Sequence, residues 1–382
     1  MEASTEELAQ EWLRLDQDPE TRNEIEQLIA RNDTAELEKR LRKRIAFGTA
    51  GLRATMNAGF SRMNSLTVIQ ASQGLAAYVL EQVPSSTNRG VVIGRDARYN
   101  SEKFAKLTAA VFAAKGFKVW FLDMVHTPLV PFAVSRLNAA VGVMVTASHN
   151  PAVDNGYKVY WLNGCQIIPP HDNGIARSIM ENLEPITWDI ADMRNDLSSE
   201  TMGDLKHKYL DSLSIVAAIS APKMNLPFTY TPMHGVGLGM FERFAVANHL
   251  SSAMHVVSSQ KDPDPAFPTV RFPNPEEKGA MDEAMKTADG HDDSLILAND
   301  PDADRFAAAE KVDGRWQQLT GNQIGVLLAS HVLEENARTV PAIEQPTMLA
   351  STVSSRMLAR MAAVDGTFRF EETLTGFKWL GR

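Results

Sequence analysis

The hydrophobic and polar positions of this chain change rhythm several times. The first stretch carries helical spacing. STEELAQEWLRL opens with a Ser4–Glu7 capping box, and DTAELEKRLRKRI puts Leu37, Leu41 and Ile45 on one face behind Asp33 as cap. Its basic run, Lys39 to Arg44, reads as a solvated helix face, with attraction of phosphate as the other reading. Beyond FGTAGLRATMNAG, short apolar runs alternate with amphipathic ones. GVVIG predicts a buried strand. SEKFAKLTAAVFAAKG predicts a helix capped by Asn100 or Ser101 and ended by Gly116. FKVWFLD is a strand, TPLVPFAVSRLNA a helix, and AVGVMV a strand that runs into TASHNP.

The rhythm then recurs. LPFTYTPM, LGMFERFAVANHL and MHVVS read as strand, helix and strand. NPEEKGAMDEAMKTADG holds a helix closed by Gly290, and the strand SLILAND runs into DPDADR. A shorter third unit follows: strand TMLAST, helix SSRMLARMAAVDG, and strand TFRFEE leading into TLTGFKW. This alternation predicts an α/β protein of successive units with mostly parallel, helix-covered sheets. Each unit delivers a polar loop from a strand end, where open α/β sheets bind ligands. Turn-rich stretches at 190–207 and 315–325 read as linkers, with a hairpin turn at Asp313–Gly314 leading into a helix.

The bulk numbers narrow the classes. The chain has 382 residues, 44% hydrophobic and 22% charged, which fits a globular protein of two or three domains. A net charge of −9 argues against a nucleic-acid surface. Cys165 is the single cysteine, so neither an intrachain disulfide nor a cysteine metal cluster can form. The acidic, polar N-terminus has no signal-peptide pattern, and no apolar run is long enough for a bilayer. The expectation is a cytoplasmic protein with no membrane or nucleic-acid partner.

Three loops carry candidate chemistry. In DPDADR, alternate positions let Asp300, Asp302 and Asp304 converge. Carboxylates that close repel unless a cation lies between them, and all-oxygen ligands favour Mg²⁺, Mn²⁺ or Ca²⁺. A solvated turn is the competing reading. Arg305 beside them suits a phosphoryl group, or an ordinary salt bridge. In TASHNP, Ser148 and His149 are adjacent, a poor arrangement for a Ser–His hydrolase, and no G-x-S-x-G elbow is present. Ser148 as a phosphoryl acceptor, with His149 and Lys158 handling charge, suits phosphoryl transfer; a capping turn is the alternative. GTAGLR offers Arg53 for phosphate. GRDAR offers Arg95, Asp96 and Arg98, or a structural ion-pair cluster. PMHGVG offers His234 in a phosphate nest, or a core histidine.

TASHNP, DPDADR and EETLTGF, in that order on successive units, resemble the α-D-phosphohexomutase superfamily. FGTAGLRATMNAG, FPNPEEKGAM and FEETLTGFKW look specifically like its phosphoglucomutase-2 / phosphopentomutase branch, which includes glucose 1,6-bisphosphate synthase. The resemblance covers the chain from Ala46 onward. It implies mixed-sheet α/β domains of the phosphohexomutase type: a helical extension at 1–45, domain I at 46–205, domain II at 206–320 and an incomplete domain III at 321–382. A fourth domain is absent, so the resemblance implies a chain truncated before its second phosphate grip, and one expected to be a poor mutase alone.

By motif, the resemblance makes Ser148 a phosphoserine and places Mg²⁺ between it and Asp300, Asp302 and Asp304. Arg53 and Arg305 would hold phosphate, and His149 and Lys158 would assist proton transfer or charge neutralisation. Glu371, Thr373 and Thr375 fall in a sugar-recognition loop, and Lys378 is a further acid/base candidate. The implied reaction is a Mg²⁺-dependent exchange of sugar 1-phosphate with 6-phosphate or, for a pentose, 5-phosphate. Glucose 1,6-bisphosphate would serve as activator and intermediate, and small sugar phosphates as partners. A bisphosphate synthase and a sugar-phosphate-binding relative with little turnover are the alternatives.

Overall fold

The computed structural model describes residues 3–217, 226–338 and 343–381. Three helices come first: α1 (Thr5–Leu15), α2 (Pro19–Ala30) and α3 (Thr34–Leu41). The Ser4–Glu7 capping box forms, and Asp33 caps α3 by accepting from the Glu36 amide at 3.1 Å. Trp12, Leu15, Ile25, Leu37 and Leu41 bury against Phe60 and Leu66, which fastens these helices to the next unit.

The basic run is only in part the solvated face expected: Lys39 and Lys43 are exposed, whereas Arg40 is mostly covered. Arg40 pairs with Glu24 and Glu36 at 2.7 and 2.8 Å, and Lys39 and Arg42 pair with Glu36 and Glu38. Helix α3 ends at Leu41, so Ile45 lies beyond it and packs on the following core.

The first sheet takes strands β1 (Leu52–Thr55), β2 (Val91–Arg95), β3 (Val119–Met124), β4 (Val141–Val145) and β5 (Asp154–Trp161) in the order β1-β5-β4-β2-β3. Its helices are α4 (Ser65–Gln82), α5 (Ser86–Arg89), α6 (Ser101–Ala114), α7 (Leu129–Arg136), α8 (His171–Met180) and α9 (Ser199–Ala217). Side chains alternate across the strands. Val91, Ile93, Val141, Val143 and Val145 pack on α4 and α6, whereas Val92, Leu122 and Met144 pack on α7.

The second sheet repeats this plan. It contains β6 (Phe228–Thr231), β7 (Met254–Val256), β8 (Leu295–Asn299), β9 (Phe306–Val312) and β10 (Arg315–Gln318) in the order β10-β9-β8-β6-β7, with helices α10 (Leu238–Ala247) and α11 (Asp282–His291). The third unit has α12 (Gly321–Arg338), α13 (Met357–Asp365), α14 (Phe377–Leu380) and a parallel pair, β11 (Thr347–Ser351) with β12 (Arg369–Thr373).

Several expectations are corrected. The sheets are mixed, as the resemblance implies, and not mostly parallel as the strand–helix alternation predicts, because β5 pairs antiparallel with β4 and β1, and β9 with β8 and β10. Much of 190–207 is not linker: α9 packs on α7 and α10. The Asp313–Gly314 turn forms, with φ of 50° and 74°, but its second strand, β10, belongs to the second sheet. Neither Asn100 nor Ser101 caps α6 by its side chain; the Ser101 hydroxyl donates to Asp96 at 2.6 Å. Gly290 lies inside α11, which ends at the left-handed Asp292.

Candidate active site

Ser148 follows β4 by three residues and turns sharply, with φ of 55°. A non-glycine residue there carries backbone strain of order 1–2 kcal/mol. Arg98 holds it in place. Its guanidinium donates to the carbonyls of Ser148 and Asn150, both at 2.6 Å, and to those of Pro151 at 2.8 Å and Asp154 at 3.2 Å. Asp96 faces Arg98 at 3.2 Å, both side chains almost wholly buried. The Ser148 amide donates to Thr146 Oγ1 at 2.9 Å.

The turn points the Ser148 hydroxyl at the second unit, where it donates to Asp300 Oδ2 at 2.7 Å. His149 Nδ1 stands farther from that hydroxyl oxygen, at 3.3 Å. The serine is therefore engaged by a carboxylate 152 residues away rather than by its neighbouring histidine.

Asp300, Asp302 and Asp304 each offer a carboxylate oxygen, all within 4.8 Å of one another. Asp300 and Asp302 have no exposed surface. Lys158, on β5, reaches across with Nζ 2.6 Å from both Asp302 Oδ2 and Asp304 Oδ2. Thr127 donates to the Asp302 side chain and carbonyl at 2.5 and 2.8 Å. The Arg305 amide donates to Asp300 Oδ1 at 3.0 Å, and its guanidinium lies 4.0 Å from Oδ2.

One cation cannot neutralise three carboxylates, and their environments push the three carboxyls apart. Burial, then the charges of Asp302 and Asp304, pushes Asp300 well above the usual range, and burial and Asp302 raise Asp304. For Asp302 burial acts in the same direction, but Lys158 outweighs it and holds the carboxyl low. The buried Asp302 Oδ1 has no hydrogen-bond partner. An orphaned carboxylate oxygen among convergent carboxylates fits a hard divalent cation. Magnesium would be held by Asp300, Asp302 and Asp304, with Ser148 as the oxygen facing them.

At the mouth, Arg53 donates to Asn150 Oδ1 at 3.1 Å, and Arg305 is 42% exposed. His149 meets Phe272 edge-on, 6.1 Å between ring centroids. Burial, then Arg305 and Arg53, pulls its pKa down to about 4, so it is neutral near pH 7. Ser148, His149, Lys158, Arg305 and the three aspartates thus come together. The third unit's residues lie apart. Glu371 is exposed on β12, Thr373 donates to the Leu374 carbonyl, and Thr375 is exposed in the turn before α14. Lys378 donates to Thr49 Oγ1 at 2.6 Å, in the FGTAG loop. Among the described residues none of these four has a hydrogen bond to the serine or aspartate loops.

Thr127 was not singled out from sequence, although it stands just beyond β3, the strand-end position that marks the other loops. Of the two readings of GRDAR, Asp96 and Arg98 form the ion pair and Arg98 also cradles the serine loop. His234 is a buried structural histidine, 2.8 Å from Thr269 Oγ1. The Val236 amide beyond it donates to the Pro301 carbonyl at 2.8 Å and so braces the aspartate loop.

A strand-end serine facing convergent carboxylates, on two α/β units of one plan, is an arrangement chemically suited to phosphoryl transfer. Residues 44–185 match phosphoglucomutase/phosphomannomutase alpha/beta/alpha domain I, and residues 207–314 match domain II of the same family. The chain belongs to this family, within the α-D-phosphohexomutase superfamily. It is similar to a probable phosphoribomutase of Schizosaccharomyces pombe, 51% identical over 396 residues, covering 100% of this chain and 66% of the relative. It is also similar to a phosphopentomutase of Mus musculus, 44% identical (100% and 64% covered), and to a glucose 1,6-bisphosphate synthase of Homo sapiens, 41% identical (97% and 62% covered). The chain thus spans slightly less than two thirds of the length of these relatives. A putative phosphomannomutase from Thermus thermophilus shares the fold, with a TM-score of 0.69 at 23% identity, over 88% of this chain and 70% of that one. Among the described residues, no helix is long and apolar enough to cross a membrane.

Proposed function

We propose that this chain carries the phosphoserine and metal centre of a sugar-phosphate mutase, in units bounded near residues 46–205, 206–320 and 321–382. The observation that carries the reading is the Ser148 hydroxyl, set 2.7 Å from Asp300 in a buried cluster of three carboxylates. Phosphorylated Ser148 transfers its phosphoryl group to the free hydroxyl of a sugar monophosphate. The bond from Ser148 Oγ to phosphorus breaks, the bond from the sugar oxygen forms, and the product is a bisphosphate. That bisphosphate turns end for end and returns its other phosphoryl group to Ser148, leaving the isomeric monophosphate.

Asp300, Asp302 and Asp304 would hold magnesium, which would supply positive charge to the transferring group. The chain's own residues do the rest. Arg53 and Arg305, open at the mouth, hold phosphate oxygens bidentately. Lys158 balances Asp302 and Asp304, so the cluster can exist before substrate arrives. His149, neutral near pH 7 with Nδ1 3.3 Å from Ser148 Oγ, relays to the departing serine oxygen the proton that the sugar hydroxyl loses. Glu371, Thr373 and Thr375 are assigned to sugar recognition, and Lys378 meets the domain I loop that leads to Arg53.

A pentose substrate, exchanged between 1- and 5-phosphate, is favoured because the 51% and 44% identical relatives are named for pentose phosphates. Synthesis of glucose 1,6-bisphosphate is the second reading, supported by the 41% identical relative. The test is intact mass after incubation with glucose 1,6-bisphosphate and Mg²⁺. One phosphoryl group should be gained by the native chain and none by Ser148→Ala. A native chain that gains nothing, or a Ser148→Ala chain that still gains it, overturns the proposal.

A further inference from the structure

A second cavity lies away from the phosphoserine. It has a volume of about 280 Å³ and is bounded by α4, α8 and the segment between α3 and β1, with Arg44, Phe47, Leu52, Phe60, Gln70 and Met180 in its wall. The wall is apolar apart from Thr67, Gln70 and one cation, and the Thr67 hydroxyl is spent on the Arg62 and Asn64 carbonyls. The Arg44 guanidinium lies 4.4 Å over the Phe60 ring and donates one hydrogen bond, to Gln70 Oε1 at 2.8 Å. Among the described residues no carboxylate stands within 4 Å of it. Glu11, the acid whose charge it feels, is held by both Arg14 nitrogens at 2.8 and 3.0 Å. Gln70 offers Arg44 only its oxygen, because its amide nitrogen donates to the Leu183 carbonyl at 2.7 Å. Burial lowers the Arg44 pKa, as it does for a cation short of a counter-charge.

Arginine has five donors in a rigid fork that matches a carboxylate. A partly desolvated fork with one acceptor partner and apolar walls around it is complementary to one ligand type. We propose that this cavity binds a small carboxylate with an apolar body, its carboxylate on Arg44 and its body against Phe47, Leu52, Phe60 and Met180. The volume sits just below the roughly 300–1,000 Å³ of common small-molecule sites, which limits the body to about one ring.

The site is distinct from the phosphoserine centre yet joined to it. Its wall at Ile45, Ala46 and Phe47 continues into the Gly48–Gly51 loop and then into β1. Leu52 faces the cavity, and its strand neighbour Arg53 faces the other way, toward Asn150. An occupant therefore braces the segment that presents Arg53 to substrate, which makes the cavity an effector site.

The test is a fluorine NMR titration of the full chain with 4-fluorophenylacetate, beside the neutral 4-fluorophenylacetamide. The carboxylate should bind saturably. Binding should weaken by roughly tenfold or more for the amide and for Arg44→Gln, as expected when a charged hydrogen-bond pair is lost. Ala176→Leu, which fills the cavity from α8 and keeps Arg44, should abolish it. Amide hydrogen exchange over residues 45–53 should slow on binding. No saturable binding at millimolar carboxylate, equal binding of the amide, or undiminished binding by either variant overturns the site. Unchanged exchange at 45–53 overturns the effector role. None of these readouts depends on phosphoserine chemistry.

Discussion

Lys158→Met probes the carboxylate cluster most directly. Methionine keeps an apolar stem of similar length and removes only the charge. In the native chain Nζ lies 2.6 Å from Asp302 Oδ2 and 2.6 Å from Asp304 Oδ2, with side chains 6%, 0% and 26% exposed. Removing one partner of such a buried pair strands the other and costs ~3–5 kcal/mol. The Thr127 hydrogen bond to Asp302 survives, but a hydroxyl does not offset a buried charge. Asp302 is then pushed upward by burial alone and takes up a proton, which sets the ceiling on the loss. The assay is urea denaturation near neutral pH with a chelator present, comparing native and variant chains. Mg²⁺ in excess should then stabilise the variant more than the native chain, because the carboxylates have lost their internal cation. A loss below ~1 kcal/mol in chelator, the range of exposed pairs, or equal stabilisation of both proteins by Mg²⁺, would refute Lys158 as counter-ion of the cluster.

Other expectations follow from the same geometry. His126 is buried, and burial, then Lys206, lowers its pKa to about 4. Its contribution is fully present above the unfolded value near 6.5 and is lost as pH falls from there to about 4, by up to ~3 kcal/mol; a His126→Gln chain should lack that part of the pH dependence in denaturation curves. Arg98→Met removes four hydrogen bonds to the serine loop and strands Asp96, so it should cost ~3–5 kcal/mol in the same assay and stop phosphorylation of Ser148 by mass. A Cβ at Gly235 would lie 2.3 Å from Pro301 Cα and O, so Gly235→Ala should destabilise by ~1–3 kcal/mol and weaken Mg²⁺ protection against urea. Gly325, exposed within α12 with open space at its Cβ, is the opposite case; Gly325→Ala should raise stability by ~0.5–1 kcal/mol.

What the sequence disclosed and what it hid differ in a physical way. Ser148 and the three aspartates were legible because each group follows a short apolar strand, and strand ends are marked by the pattern itself. Lys158 was named, but its strand was not. In DNGYKVYW the lysine interrupts the apolar run, and its burial is decided by Asp302 and Asp304, 144 and 146 residues away. Thr127 was invisible for the same reason, since its partner Asp302 lies 175 residues ahead. The solvated-face reading of the run from Lys39 to Arg44 holds for Lys39 and Lys43 and fails at Arg40, because Glu24, on another helix, claims it. Mixed strand direction was legible from the motifs' resemblance but hidden from the alternation pattern, because antiparallel β5 and β9 return directly from the functional loops, where no helical spacing announces a crossover.

The matching strand orders of the two sheets give the site its logic. Strands β4 and β8 occupy equivalent positions: each is parallel to one neighbour, β2 or β6, and antiparallel to the other, β5 or β9. The Ser148 and Asp300 loops therefore leave equivalent strand ends, but the two units carry opposite charge there. The first brings Arg53, Lys158 and the hydroxyls of Thr127 and Ser148; the second brings three carboxylates with Arg305 as the cation beside them. Neither half is balanced in charge on its own. The carboxylates repel without Lys158, and Lys158, only 6% exposed, has no use for burial without them. The Thr127 amide and hydroxyl, both given to Asp302, fix the register of one loop on the other. The serine thus sits where two incomplete charge sets meet, and the carboxylate cluster is charge-compensated only where the two units are docked.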